Sequence, residues 1–227
     1  MSGISRIQAQ RENRGSGDNR TPGREIFFRD GDQAFMTAVA TGEEGDTFLD
    51  ELYLYTYNVG NRWVNLLDDP DVDASDVPEG TRPAHKFAFW AFVHEIIHTE
   101  RKQDDWEVIS GPGGRKMFKE TVNDFRIVSL TFGRSDYIWN QIVDVYNDWG
   151  GLNKGVMRIK RTGTGMFDTS YQVATTARNS EVSEEVLSKK SDLPTIREYF
   201  KGRYGGSAFT AIPAGVAVGA SKDNELF

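Results

Sequence analysis

The sequence predicts a β-rich α+β protein built around a small, partly open β-barrel. Short apolar and aromatic segments recur between turn residues, a single amphipathic helical segment stands near the centre of the series, and 23 of the 227 residues are Gly. Several short strands separated by Gly-rich turns are typical of small β-barrels. The central helix places the chain in the α+β class rather than among all-β proteins.

The first half of the chain supplies most of the expected strands. Residues 26–39 are apolar around an Asp30-Gly31 pair, which is a signal for a tight turn. Residues 47–64 form a second apolar segment with a turn at Gly60-Asn61, and the acidic, proline-bearing residues 68–83 indicate an exposed loop. Further strands are expected at Lys86–Ile97, Lys116–Phe118 and Phe125–Leu130.

The second half supplies the helices and one more hairpin. Ser135 can cap a helix that runs to Trp149, because Ile138, Ile142 and Val145 fall on one stripe. Strands are expected at Val156–Lys160 and Ser170–Val173, and short helices at Glu184–Lys190 and Thr195–Lys201, the second with Asp192 as its cap.

Composition divides the chain into three parts. Residues 1–24 are polar and rich in Arg, which indicates a flexible basic arm. Residues 25–204 hold the expected strands and helices and form the folded domain. Residues 205–227 are a Gly- and Ala-rich tail that ends in Asp223, Glu225, Leu226 and Phe227.

Charge is unevenly distributed in a chain whose net charge is −7. Residues 1–29 carry six Arg against three acids, whereas residues 30–85 carry two Arg against thirteen acids. An acidic region can coexist with a basic groove, so an acidic chain can still bind nucleic acid.

Several function classes are excluded by composition. The chain has no Cys, which excludes disulfides, thiolate zinc sites, iron–sulfur clusters and Cys nucleophiles. No apolar segment approaches the ~20 residues that cross a bilayer, and the N-terminus lacks the apolar stretch of a secretory signal. We therefore expect a soluble intracellular protein without membrane contact.

One enzyme motif is present, His94-Glu95-Ile96-Ile97-His98. On a helix, this spacing would let both imidazoles bind zinc while Glu95 acts as a general base. The aromatic residues before it favour a strand, on which the two histidines would lie about 13 Å apart. The one remaining histidine, His85, lies upstream, so a chance match is the preferred interpretation.

Cations and aromatic residues alternate along three of the expected strands. Period 2 places Lys86, Trp90, Phe92 and His94 on one face of their strand, and Arg158 and Lys160 on one face of another. Arg115, Lys116 and Lys119 surround Phe118. Cations that follow phosphates and aromatic faces that stack bases are what binding of single-stranded nucleic acid requires.

From Phe27 to Tyr204 the order of these features resembles the single-stranded DNA-binding proteins of tailed phages, an OB-fold group related to the helix-destabilising protein of T-even phages. The resemblance rests on the basic arm, on Phe28–Phe35, on Gly60-Asn-Arg-Trp63, on the Lys86 to Trp90 strand, on Gly114–Lys119 and on the Ile138-Trp139 helix. Its most specific part is Arg158-Ile-Lys-Arg-Thr-Gly-Thr-Gly-Met-Phe-Asp-Thr-Ser-Tyr171, and the ordered set covers about three quarters of the chain.

The resemblance implies a protein without chemical activity that binds single-stranded DNA independently of sequence. It implies an OB-fold-like, five-stranded, partly open barrel with a central helix, extra hairpins and short C-terminal helices. Relatives often carry a Cys/His zinc site after the first hairpin, but residues 66–85 contain no Cys, so no metal or other cofactor is expected. The expected DNA contacts are Arg62, Trp63, Lys86, Trp90, Phe92, Arg115, Lys116, Phe118, Lys119, Arg158, Lys160, Arg161 and Tyr171.

The resemblance also implies partners and a setting. The tail residues Asp223, Glu225, Leu226 and Phe227 would bind phage replication and recombination proteins, and the N-terminal arm would mediate self-association along DNA. The setting would be phage DNA replication, recombination and repair in the cytoplasm of the infected bacterium. Two alternatives stay open: a zinc metallohydrolase that uses His94, Glu95 and His98, and a structural phage protein.

Overall fold

A computed structural model of the chain confirms the β-rich α+β class. It describes residues 24–40, 49–59, 62–100, 103–132, 137–164, 168–179, 182 and 184–205. The proposed arm, apart from Arg24, and the tail beyond Gly205 lie outside the described residues, as do Ser135 and the Gly60-Asn61 turn. None of the described helices is long and apolar enough to cross a membrane.

The described residues form one antiparallel sheet of eight strands and three α-helices. The strands are β1 Gln33–Val39, β2 Asp50–Val59, β3 Arg62–Leu67, β4 Ala84–His98, β5 Glu107–Ser110, β6 Lys116–Thr131, β7 Gly155–Thr162 and β8 Ser170–Asn179. The helices are α1 Tyr137–Trp149, α2 Glu184–Ser188 and α3 Ile196–Tyr204, with 3₁₀ turns at Pro112–Gly114 and Lys189–Asp192.

The long strand β4 organises the sheet. Along one edge it pairs with β6 over nearly its whole length, and along the other it pairs first with β2 and then with β1. From there the sheet extends through β2 to β3 and through β1 to β7 and β8, and the described strands do not close it into a barrel.

The strands differ from the expected ones in two respects. Lys116–Phe118 and Phe125–Leu130 belong to one strand, β6, and not to two. Between them, Val122 and Asn123 lie at an irregularity in the pairing with β4, where Asn123 adopts a positive φ of 45°. Strand β5, which pairs with the first residues of β6, was not expected from the sequence at all.

Apolar layers cover the sheet on both sides. On one face, helix α1 places Ile138, Ile142 and Val145 against Phe87, Phe89 and their neighbours. On the other face, helix α3 places Ile196, Tyr199 and Phe200 against a second cluster centred on Trp90 and Ile127. The alternation of β4 therefore matches the sequence prediction, but its second face also belongs to the core.

Helix α3 begins one turn later than Asp192, the residue expected to cap it. Its cap is Thr195, whose hydroxyl accepts a hydrogen bond from the Glu198 backbone N–H, while the Glu198 carboxylate accepts one from the Thr195 N–H. Asp192 instead ends the preceding 3₁₀ turn. The reciprocal capping box satisfies two otherwise unpaired N–H groups, and this favours Thr195.

The acidic loop between β3 and β4 contains no helix or strand, as expected, but part of it is buried. Val72 packs on Tyr57 and Leu66, and Asp69 is almost inaccessible to solvent. Asp69 accepts hydrogen bonds from the Arg197 guanidinium and the Asp71 backbone N–H, which lower the pKa of its carboxyl group. Two ion pairs, Arg197–Asp69 and Lys201–Asp71, fasten the loop to α3.

Candidate nucleic-acid interface

The face of the sheet that α3 covers has a second half with different chemistry. The cluster beneath α3 includes Val39 of β1 and Phe92 of β4 and does not extend to Gln33 or Phe35. Side chains in this second half are mostly charged or polar and half-buried or exposed. We call this half the basic face, and it consists of Gln33, Phe35, Glu95, Lys119, Arg158, Lys160 and Arg178.

Strand register brings the members of the basic face together in rows. Phe35 lies opposite Glu95 of β4 on one side and opposite Arg158 of β7 on the other. In the next row, Gln33 lies opposite Lys160, and Ile97 lies opposite Lys119 of β6. Adjacent strands are about 4.8 Å apart and alternate residues about 7 Å apart, so the rows form one continuous surface.

A bulge in β4 allows Glu95 to join this face. The pairing registers of β4 with both β1 and β6 skip His94. Strict alternation would place His94 and Glu95 on opposite faces, but a bulge turns two successive side chains to the same side. His94 Nε2 lies 3.2 Å from the Thr37 hydroxyl, and Glu95 reaches the guanidinium of Arg178.

Arg178 contacts two other members of the basic face. Its Nη1 lies 2.7 Å from the Glu95 Oε1 atom, and its guanidinium carbon lies 4.6 Å from the centre of the Phe35 ring. The Phe35 ring is half-buried and belongs to no core cluster. A cation over an aromatic face is a favourable arrangement, which the Glu95 carboxylate holds in place.

The other cations of this surface differ in how fully they are paired. Lys119 forms an ion pair with Glu107, and the hydrogen bond within this pair raises the pKa of Lys119. Arg158 is half-buried, and its Nε atom is buried with no hydrogen-bond partner among the described residues. An unpaired buried donor costs free energy.

Two of the expected stacking residues are buried beneath α3 or at its margin. Trp90 is 1% exposed, and its indole N–H donates a 2.9 Å hydrogen bond to the Pro194 carbonyl. Phe92 is 8% exposed and packs edge-on against Phe125 and His94. The expectation that these rings offer stacking faces is therefore wrong in this structure, because the C-terminal helix covers the face that the sequence analysis left open.

Lys86 lies at the covered end of the same face, away from the basic face. It is opposite Leu52 and Thr131, and burial lowers the pKa of its ammonium group while the nearby Glu25 carboxylate opposes this change. Lys86 is thus part of a partly buried charge cluster with Glu25, whose own pKa is raised by burial.

Arg161 and Tyr171 lie on the opposite side of the sheet from Arg158 and Lys160. The Arg161 guanidinium donates hydrogen bonds to the Phe28 carbonyl and the Thr169 hydroxyl, and Tyr171 packs edge-on against Phe28. Arg161 was expected to contact DNA along with Arg158 and Lys160, but strand alternation places it on the other side of the sheet. Arg161 holds residues near the β1 turn in place.

The remaining expected contacts are scattered. Arg115 and Lys116 are exposed at the turn before β6, and the Lys116 ammonium lies 5.7 Å from the centre of the largely buried Phe118 ring. Arg62 and Trp63 open β3, at the far end of the sheet from β7, and their side chains lie outside the described atoms. Asp223, Glu225, Leu226 and Phe227 also lie outside the described residues.

The His-Glu-x-x-His motif is on a strand and not on a helix. His94 and His98 belong to β4, where His94 contacts Thr37. His98 lies between two carboxylates, with Nδ1 3.3 Å from Asp32 and Nε2 3.0 Å from Glu120, and its ring stacks on Trp106 at 4.1 Å. The helical geometry by which this motif binds zinc is therefore not formed by these residues.

The ion cluster at His98 has a marked effect on its titration. Burial disfavours the charged ring, but the hydrogen bonds and charges of Asp32 and Glu120 outweigh burial and raise the pKa of His98 to about 9. The imidazolium joins the start of β1 to the end of β4 and to β6 on the side of the sheet opposite the basic face.

Sequence reasoning missed Phe35, Glu95 as a surface residue, and Arg178. Phe35 was noted only as the end of the Phe28–Phe35 segment of the resemblance, and period 2 from Val39 would have placed it on the α3 face. The strand that contains Arg178 was expected to end at Val173, yet β8 continues to Asn179. The bulge at His94 leaves no clear signal in the sequence.

Comparisons of the chain with models of protein families, with curated proteins and with solved structures find no match.

Proposed function

We propose that the protein binds single-stranded DNA without sequence preference and that the basic face is the binding surface. The observation that carries the proposal is the grouping of Arg158, Lys160, Arg178 and Lys119 around the partly exposed Phe35 ring on one uncovered half of a sheet. Cations would bind phosphates, and the ring would stack a base. The grouping occurs in a chain of net charge −7, so it is local and not a consequence of overall composition.

The finer statements about fold and setting are part of the same proposal. The OB-fold-like five-stranded barrel would be centred on β4, and what supports it is that β4 pairs with β6 on one edge and with two strands in succession on the other. The setting would be phage DNA replication, recombination and repair in the host cytoplasm. The protein would act there without chemical activity, with the tail contacting replication and recombination proteins and the arm contacting neighbouring copies.

Oligonucleotide binding tests the proposal directly. Fluorescence anisotropy of a labelled oligo-dT is measured at salt concentrations between about 50 and 300 mM. A plot of log K against log salt concentration should fall with a slope of about 0.7 for each phosphate contact. The variant Arg158→Gln/Lys160→Gln removes two of these contacts. We expect its affinity at the lowest salt concentration to fall roughly tenfold or more and its salt slope to fall by about 1.4.

A matched control removes the same charge elsewhere. Lys189 and Lys190 are exposed on the 3₁₀ turn before α3 and are not part of the basic face. Lys189→Gln/Lys190→Gln should change affinity and slope little. Equal losses in the two double variants would mean that overall charge and not this surface determines binding, and salt-independent binding would exclude a phosphate interface.

A variant of Trp90 distinguishes binding at the basic face from binding at the surface that the sequence predicted, in which Trp90 stacks a base. The Trp90 ring is buried and hydrogen-bonded to the Pro194 carbonyl. Trp90→Phe should therefore leave oligo-dT affinity within about twofold of wild type while lowering the stability of the fold. A tenfold loss of affinity in a folded Trp90→Phe variant would show instead that α3 moves away and that Trp90 stacks a base.

A further inference from the structure

The basic face contains one acidic residue, Glu95, among the cations that would bind phosphate. Glu95 lies in the same row as Phe35 and Arg158, and its side chain is largely buried, with 18% of its surface exposed. Its carboxylate is 2.7 Å from Arg178, whose own side chain is 54% exposed. In this ion pair Arg178 is thus the more accessible partner, and Glu95 is the more buried one.

We infer that Glu95 is an internal competitor for nucleic-acid phosphate, which in the free protein holds Arg178 over the Phe35 ring. On binding, a phosphate takes the place of the Glu95 carboxylate as the partner of Arg178, and the guanidinium leaves the ring. A base then stacks on Phe35. This inference rests on the proposed function and names the contact that regulates the same surface.

Three observations support the exchange. The Arg178 guanidinium already covers the face that a base would need, with its carbon 4.6 Å from the ring centre. Arg178 is near the end of β8, at the edge of the sheet, so its long side chain can turn outward without disturbing the core. Arg158 of β7 lies opposite Phe35, so a phosphate that binds Arg178 also lies near a second cation.

Exchange of a carboxylate partner for a phosphate partner has a measurable consequence. When Arg178 leaves Glu95 for phosphate, one ion pair is broken for each one formed, so Arg178 adds little to net affinity or to the salt slope. Removal of the Glu95 charge leaves Arg178 unpaired in the free protein. The full electrostatic contribution of the new contact, about 0.7 in slope, then appears.

The test is a double-mutant cycle on oligo-dT binding with Glu95→Gln, Arg178→Gln and the combined variant. Glu95→Gln should bind roughly five to ten times more tightly than wild type at about 50 mM salt, with a slope steeper by about 0.7. In the Arg178→Gln background the same change should gain less than about twofold. A gain of equal size in both backgrounds would mean that Glu95 merely repels DNA, and the inference would be overturned.

Phe35 supplies an independent arm of the test. Phe35→Leu keeps an apolar side chain but removes the stacking face, so it should weaken binding about three- to tenfold in both wild-type and Glu95→Gln proteins, with the slope unchanged. No loss would overturn the stacking part of the inference. If wild type and Glu95→Gln both fail to bind oligo-dT, the proposed function fails and the inference with it. Wild-type binding that depends on Arg158 and Lys160, but without coupling between Glu95 and Arg178, overturns the inference alone.

Discussion

The same two strands build opposite chemistry at the two ends of one sheet face. At the α3 end, β1 and β4 present Val39 and Trp90 to the apolar side of helix α3. A few residues further along, they present Phe35 and Glu95 to a surface of cations. An apolar surface of this size must be covered to be stable, whereas charged side chains can stay hydrated and available to a ligand.

The α3 end and the end that carries the basic face, here called the basic end, are also stabilised by different interactions. The α3 end depends on burial of large rings, among them Trp90, Tyr199 and Phe200. The basic end is pinned from behind by the His98 imidazolium between Asp32 and Glu120. Apolar burial is nearly independent of pH, whereas an ion cluster is not, so the two ends should respond differently to substitution and to pH.

The largest effect should come from truncating the α3 end. Phe200 is fully buried, so we expect Phe200→Ala to lower the free energy of unfolding by about 3–5 kcal/mol, through lost burial and the cavity left behind. Urea denaturation followed by circular dichroism measures this. The folded variant should also show red-shifted Trp fluorescence as the cover over Trp90 loosens.

The same change at the basic end provides the comparison. Phe35→Ala removes a ring that is half-buried and lies outside both core clusters, so it should cost about 1 kcal/mol. If the two substitutions prove equally destabilising, Phe35 is a core residue and the distinction between the two ends is lost.

Much of the α3 end could be predicted from sequence, but the packing of helix α3 on it could not. The alternation of Phe87, Phe89 and Ala91 against Trp90 and Phe92 was confirmed, because period 2 is enforced when each face has a fixed neighbour. Alternation does not say what packs on a face. Trp90 appeared available for stacking because Tyr199, whose ring packs on it, is more than one hundred residues away in the chain.

The basic end was harder to predict because a bulge decides its composition. Arg158 and Lys160 were placed on one face by simple alternation, and the structure agrees. Glu95 shares their surface because β4 has an additional residue relative to β1, at His94, and Arg178 reaches it because β8 runs beyond Val173. Both features depend on pairing between strands, which local sequence does not encode.

The second prediction uses pH to separate the two ends. The pKa of His98 is raised from 6.5 to about 9 in the folded protein, so its contribution to stability is complete below about pH 6.5 and is lost as the pH rises through about 9. We expect wild-type stability to decline over this interval by on the order of 2–3 kcal/mol. His98→Gln should be less stable at pH 6 and should show little of the decline.

A second histidine provides the control for this measurement. His85 lies on β4 at the other end of the strand, beside Glu51, with its ring stacked between Tyr53 and Phe132. His85→Gln should retain the wild-type decline between pH 6.5 and 9. A decline that persists unchanged in His98→Gln would show that another group is responsible and that the basic end is not held by this cluster.

The smallest effect concerns how α3 is kept on the sheet. The Thr195 side chain closes the capping box with Glu198, and the preceding residue, Pro194, accepts the hydrogen bond of Trp90. Thr195→Ala should therefore lower the free energy of unfolding by about 1 kcal/mol, with a small change in Trp fluorescence, because the start of α3 frays where it covers the ring. Asp192→Ala, at the position that sequence favoured as the cap, should have no measurable effect, since Asp192 is exposed and ends the 3₁₀ turn.

Oligo-dT affinity should be unchanged in both variants, because the basic face is formed by β1, β4, β6, β7 and β8 and not by this helix. If Thr195→Ala alters DNA affinity while Asp192→Ala does not, the two halves of the sheet face are coupled and α3 takes part in binding.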